Sequence, residues 1–238
     1  MVRLYDYKEM EMIVRKTNVL YIFILSFLIL FVPKSFGGEV TDEFSAAQLN
    51  GSIWEVKQVG NASYKINDGK LTLTSPKPTD GIILYYNQEV NQPGFSFEVK
   101  VDSSGIVDSG YVTTTKTMTP PEVSNTYNAL RLGQFRLKSA GWLVRDENIQ
   151  EVVNGNIQGG MHTYKIEIGK DTLSFHFDEG KVAEIPTVAE TRFFSVSPDP
   201  YSTDYSGEVV IEYIKISAPW IVAVEPAGRL TTFWGSIK

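Results

Sequence analysis

The amino-acid sequence predicts an almost entirely β domain, a sandwich or barrel of many short strands, and three observations carry that prediction. Apolar and polar residues alternate in segment after segment. Gly, Pro, Asn or Asp punctuates the chain every 10 to 20 residues. Past residue 37 no segment shows a long apolar stripe of the 3.6-residue period that a helix requires.

In chain order the candidate strands are Tyr64 to Ile66, Lys70 to Thr74 and Ile82 to Tyr86. Phe95, Phe97, Val99 and Val101 then alternate with Ser96, Glu98 and Lys100, the period of a strand with one buried face. Gly110 to Thr114, Tyr127 to Leu132, Trp142 to Arg145 and Gln150 to Val153 follow. Tyr164, Ile166 and Ile168 alternate with Lys165 and Glu167. A turn at Gly169-Lys170-Asp171 leads into Leu173, Phe175 and Phe177, a hairpin with an apolar inner face. Asp178-Glu179-Gly180-Lys181 turns the chain into Val182 to Ile185, and Arg192 to Val196 and Val209 to Ile216 close the series. Two connections, Thr115 to Asn125 and Ser197 to Gly207, are longer than turns require, and loops carry function more often than strands do.

Ahead of these strands, Val19 to Val32 forms an apolar run of 14 residues behind Arg15 and Lys16. A membrane-spanning helix needs roughly 20 apolar residues, so residues 1–37 are expected to be a secretory signal peptide or, uncleaved, an N-terminal membrane anchor. Residues 38–217 would then be the folded domain and 218–238 a C-terminal extension. The protein is expected to be secreted or held at the cell surface, meeting a membrane only through an uncleaved leader.

The chain has 22 basic and 28 acidic residues among 238; residues 1–37 hold five and three of these, leaving a domain and extension of net charge −8. So acidic a chain lacks the basic stripe that nucleic-acid binding uses, and no nucleic-acid partner is expected. The absence of cysteine excludes disulfides, thiolate metal sites and a cysteine nucleophile.

One set of motifs is ordered along the chain. Asp42-Glu43-Phe44 and Trp54 precede a strand opening with Asp68-Gly69-Lys70-Leu71; His162 to Ile168 leads into a strand ending at Asp178-Glu179-Gly180; and Ile211 to Ile216 reads apolar-Glu-Tyr-apolar-Lys-apolar. In this order the sequence resembles the concanavalin A-like lectin/glucanase superfamily, including laminin G-like domains, over roughly Asp42 to Ile216. It departs from the pattern at Glu179, which separates Asp178 from Gly180, and at Glu212, where Asp is usual. The resemblance implies a two-sheet antiparallel jelly-roll sandwich. It implies a glycan or cell-surface polysaccharide as partner but no single activity, because lectins, binding modules, glucanases and lyases share the fold.

The residues themselves favour binding over catalysis. A laminarinase-type member would carry Glu-x-Asp-x-Glu on one strand, and this sequence has no such run. Glu147 with Glu151, and Glu208 with Glu212, are the nearest approximations, and four residues along a strand separate α-carbons by roughly 13 Å. With only His162 and His176 available, a multi-His metal site has no sequence signal. No catalytic residue is therefore assigned, and the expected function is a non-catalytic carbohydrate-binding or adhesion module. The alternatives are a glycoside hydrolase or polysaccharide lyase of the same fold, and a structural envelope protein.

Sugar recognition uses aromatic platforms with polar groups around them. Tyr111, Tyr127, Arg131 and Trp142 are candidate ligand residues on the strands that the resemblance places in the concave sheet, with Asp199 and Asp204 on a bordering loop. Tyr127 and Arg131 should project together from the face opposite Leu130 and Leu132. No cofactor is required. A structural Ca²⁺ is the one metal considered, with Asp42 and Glu212 as ligands by resemblance, and Glu212 is expected to be buried because Ile211 and Tyr213 flank it.

Overall fold

The computed structural model describes residues 38–106, 110–118, 131–187, 192–198 and 207–219. They form two antiparallel sheets and no α-helix; one 3-10 turn, Ser103–Gly105, is the only helical element among them. No helix among the described residues is long and apolar enough to cross a membrane.

The strands are β1 (Gly38–Asp42), β2 (Trp54–Val59), β3 (Ser63–Asn67), β4 (Lys70–Ser75), β5 (Gly81–Tyr86), β6 (Ser96–Asp102), β7 (Gly110–Thr115) and β8 (Arg131–Lys138). After them come β9 (Gly141–Asp146), β10 (Glu151–Asn156), β11 (Met161–Ile168), β12 (Thr172–Phe177), β13 (Gly180–Pro186), β14 (Phe193–Pro198) and β15 (Gly207–Ala218). One sheet runs β13, β12, β11, β6, β15, β4, β3, with β1 also on β15; the other runs β10, β9, β8, β7, β14, β5, β2. The sandwich expected from the strand pattern is thus the architecture found. β1 and β2, absent from the predicted strands, complete it.

The alternating apolar residues meet between the sheets. Phe97 of β6 faces Phe194 of β14, with ring centroids 5.5 Å apart, and Phe135 of β8 faces Phe175 of β12 at 5.3 Å and Tyr164 of β11 at 5.4 Å. All five rings are fully buried, and each edge or tilted pair adds roughly 0.5–1.5 kcal/mol to its area burial. Burial also pushes the Tyr164 hydroxyl upward from the usual tyrosine range, with the Asp178 charge adding to the effect. Gly133 is what lets β8 come this close: a Cβ there would lie 2.9 Å from both Phe175 and Ile185.

The ordered motifs resolve into turns and staples. Asp42 Oδ1 accepts the Phe44 N–H at 2.9 Å while Oδ2 accepts the Trp54 indole Nε1–H at 2.7 Å, so one carboxylate ties β1 to β2. Phe44 is held at φ 51° and buried by that clasp. Asp68 (φ 51°) and Gly69 (φ 70°) form the two-residue connection between β3 and β4, where positive φ at both positions matches the strand twist. Asp178 Oδ1 accepts the Thr163 N–H at 3.0 Å, and its Oδ2 lies 3.2 Å from His162 Nδ1.

Candidate functional site

The seven-stranded sheet turns the face opposite the core into two cross-strand rows. In one, the paired residues are Glu55, Tyr85, Ser195, Thr113, Gln134, Arg145 and Glu151, spanning the sheet from β2 to β10. In the next, Ser197 pairs with Tyr111, Tyr111 with Arg136, Arg136 with Leu143 and Leu143 with Asn154. A β-bulge between Thr114 and Thr115 sets Arg131 opposite Thr115 beside these rows. There the Arg131 Nη1–H donates to Gln134 Oε1 at 2.8 Å.

This face is polar yet mostly buried. Thr113, Thr115 and Gln134 are 0% exposed, and Arg131 is 2% exposed. Tyr85 and Ile83 form a small apolar cluster of their own, against which Met118 and Phe193 pack. Arg131 is therefore not the outward-looking side chain the alternation of residues 127–132 predicts: it lies on the anticipated face but is sealed there. Tyr111 is also on this face and buried. Trp142 points the other way, toward the core, 5.9 Å from Phe135 and stacked on Phe177 at 5.3 Å, and is 7% exposed. Tyr127, Asp199 and Asp204 lie outside the described residues, as does most of the two long connections.

An open corner lies where β8, β9 and β10 end the sheet. A cavity of about 400 Å³ there is lined by Trp142 and Gly155 from the core side, and by residues that include Lys138, Gly141, Leu143, Glu151, Asn154 and Asn156. By the pairing Lys138↔Gly141↔Asn156 and Leu143↔Asn154, and of Glu151 with Arg145, the last six share the face that carries the two rows. Asn154 donates from Nδ2 to Glu151 Oε1. The β9 to β10 hairpin that builds this corner is set by Asp146, whose Oδ1 accepts the N–H groups of Asn148 and Gln150, both at 2.9 Å. None of these six residues was among the candidates drawn from the sequence, whereas Trp142 was. Polar residues on an edge strand give no signal until the strand order is known.

The distribution of carboxylates limits the chemistry. β5, β14, β7 and β8 contain no Asp or Glu, and Asp146, the one acid of β9, is the turn cap. Acids in the long row stand only at its ends, Glu55 and Glu151. Six strand spacings separate them by roughly 29 Å, against the roughly 5–10 Å that paired glycosidase carboxylates need. Glu208 and Glu212 belong to the other sheet, on β15.

Each of the two suggested calcium ligands has a partner within the fold. Each oxygen of Asp42 accepts a hydrogen bond, one from Phe44 and one from Trp54. Glu212 pairs with Lys100 at 3.1 Å and its side chain is 40% exposed, not buried. A bulge between Ile211 and Tyr213 accounts for that: Glu212 and Tyr213 both face outward, while Ile211 and Ile214 both enter the core. Among the described residues no three His, Asp or Glu side chains are grouped to hold a metal. His176 faces outward, its Nε2 3.7 Å from Glu167. Desolvation first, and then the Lys165 charge, lower its pKa from the ordinary 6.5.

Comparison with solved structures places this architecture. The Ca²⁺/Man-bound exoplasmic/lumenal domain of VIP36 matches with a TM-score of 0.55 at 9% identity, over 75% of this chain and 88% of that one. A laminarinase from Flavobacterium sp. UMI-01 matches with a TM-score of 0.51 at 14% identity, over 75% of this chain and 99% of the enzyme. A GlcNAcα1-4Gal-releasing endo-β-galactosidase from Clostridium perfringens matches with a TM-score of 0.50 at 14% identity, over 79% of this chain. The match spans 64% of that enzyme, under two thirds of its length. No family model matches the chain, and no curated protein matches it in sequence. The fold is the concanavalin A-like β-sandwich, a fold shared by lectins and glycan-degrading enzymes.

Proposed function

We propose that the protein is an exported, non-catalytic glycan-binding module. The observation that carries this reading is the absence of Asp and Glu from the four central strands β5, β14, β7 and β8, where a hydrolase of this architecture would need a close carboxylate pair. Hydroxyl, amide and guanidinium groups occupy the outward positions instead, and they supply no carboxylate pair to act as acid and nucleophile. The lectin and hydrolases that share the fold make a glycan the natural ligand class, and the leader-like residues 1–37 fit a role outside the cytoplasm.

A glycan-array screen of the protein, coupled to assays for reducing ends and for unsaturated uronates, tests the reading. Retention of a glycan with no product is the expected result. Release of product would establish an enzyme, and neither retention nor product would leave a structural envelope role.

A further inference from the structure

The glycan-binding reading leaves open where on the sandwich a sugar could sit, and burial decides it. The centre of the face, at Tyr85, Thr113, Gln134 and Arg131, offers no surface, whereas the corner cavity beside β10 is open and takes Lys138, Leu143, Glu151, Asn154 and Asn156 from the same face. Its volume, about 400 Å³, falls in the lower part of the roughly 300–1,000 Å³ range of small-ligand pockets.

The lining chemistry is that of a polyol site. Leu143, on the row beside Arg136, supplies an apolar floor, and Gly141 places no side chain above it. Around this floor stand a cation, Lys138, an acceptor, Glu151, and two amides, Asn154 and Asn156, each of which both donates and accepts. A pyranose presents an apolar C–H face ringed by hydroxyls that also donate and accept, which matches such a lining. One ammonium against one carboxylate leaves the cavity without the excess positive charge that would select a uronate or a sulfated sugar. Asn154 already bonds Glu151, so both are held in place before a ligand arrives, which lowers the ordering cost of binding.

Resting on the glycan-binding reading, we propose that this β8/β9/β10 corner, not the central face, is the sugar subsite, and that it takes a neutral hexopyranose unit of a glycan chain. Titration calorimetry with laminaritetraose, mannotetraose and galactotetraose as neutral probes, and tetragalacturonate as a charged one, tests it. At least one neutral probe should bind the parent. Asn154→Trp, which fills the cavity from an exposed edge-strand position, should weaken that binding about tenfold or more with an unchanged melting temperature. Glu151→Gln should weaken it less. Thr113→Ser, on the closed centre, should leave it unchanged.

If the parent binds a neutral probe and Asn154→Trp binds it equally well, the corner assignment fails while the glycan-binding reading stands. Binding of tetragalacturonate alone overturns the neutral-sugar assignment. If the parent retains nothing on the wider array either, the glycan-binding reading falls and takes the subsite with it.

Discussion

The two outer faces of the sandwich carry polar residues under opposite conditions. On the eight-stranded sheet the outward row Lys181, His176, Lys165, Glu98, Lys215 crosses five strands. Its charges alternate with partners close by: Lys215 lies 3.1 Å from Glu98, Lys165 3.3 Å from Glu167, and the Tyr213 hydroxyl donates to Glu98 at 3.0 Å. On the seven-stranded sheet the outward row holds Tyr85, Ser195, Thr113 and Gln134, all buried, and acids stand only at its two ends.

Water explains the difference. A half-exposed lysine or glutamate keeps most of its hydration, so ion pairs on the open face come at little cost and contribute little, about 0–1 kcal/mol each. Where the face is sealed, an ionised carboxylate without a partner would cost several kcal/mol. The sealed strands instead use small hydroxyls, an amide, and an arginine bonded to that amide. A polar face is therefore no proof of a solvent-facing one, and the search for a ligand site has to follow the open surface.

The sharpest test of this contrast removes the same side chain from each face. Tyr85→Ala, on the sealed face, should cost about 3–5 kcal/mol of unfolding free energy, as other large buried truncations do. Tyr213→Ala, on the open face, should cost about 1–1.5 kcal/mol, the scale of its hydrogen bond to Glu98. Equal losses in urea denaturation would show that the two faces are not differently buried.

The next effect in size concerns the clasp at the sandwich's end. Asp42→Asn weakens the acceptor for the Trp54 indole and should cost about 1–2 kcal/mol. Because both carboxylate oxygens are engaged within the fold, that cost should be the same in calcium and in chelator. A melting temperature that falls with chelator in the parent but not in the variant would make Asp42 a metal ligand after all.

The smallest effect is a pH dependence confined to the open face. His176 has a folded-state pKa below its ordinary 6.5, so the unfolded chain takes up a proton first as the pH falls. Stability contributed by the neutral imidazole is therefore present above pH 6.5 and declines as the pH drops from there toward the folded-state value. His176→Gln should remove that decline from a stability profile. Lys165→Met, which removes one of the charges lowering the pKa, should raise the His176 midpoint in an NMR titration and alter stability by no more than about 1 kcal/mol. A midpoint that stays put would mean that the Lys165 charge does not help to set it.

Much of the fold is legible in the residues because its signals are local. Period-two runs such as Phe95 to Val101 mark buried faces, and all four of those apolar residues are in the core. Asp68-Gly69 marks a hairpin because glycine, and more rarely aspartate, accepts positive φ. β1 was missed because Val40 is its single large apolar residue. The predicted strand Tyr127 to Leu132 meets β8 only at Arg131 and Leu132, its other residues lying outside the described ones, because the bulge near the start of β8 interrupts the alternation before Gly133, Phe135 and Leu137 resume it. The same kind of irregularity misled the reading of Glu212, where one extra residue in β15 shifts the inward positions from Ile211 to Ile214.

By itself, then, the sequence determined the β class, most of the strands, the turns and the residues of the core, since each follows from spacing along a few consecutive positions. Only the tertiary structure decided that Trp142 turns inward, that Arg131 and Gln134 are sealed, and that Lys138, Leu143, Glu151 and Asn154 meet at an open corner of their face. Those facts depend on which strands become neighbours and which edge stays uncovered. Alternation along one strand distinguishes its two sides, but burial is a property of what packs against them.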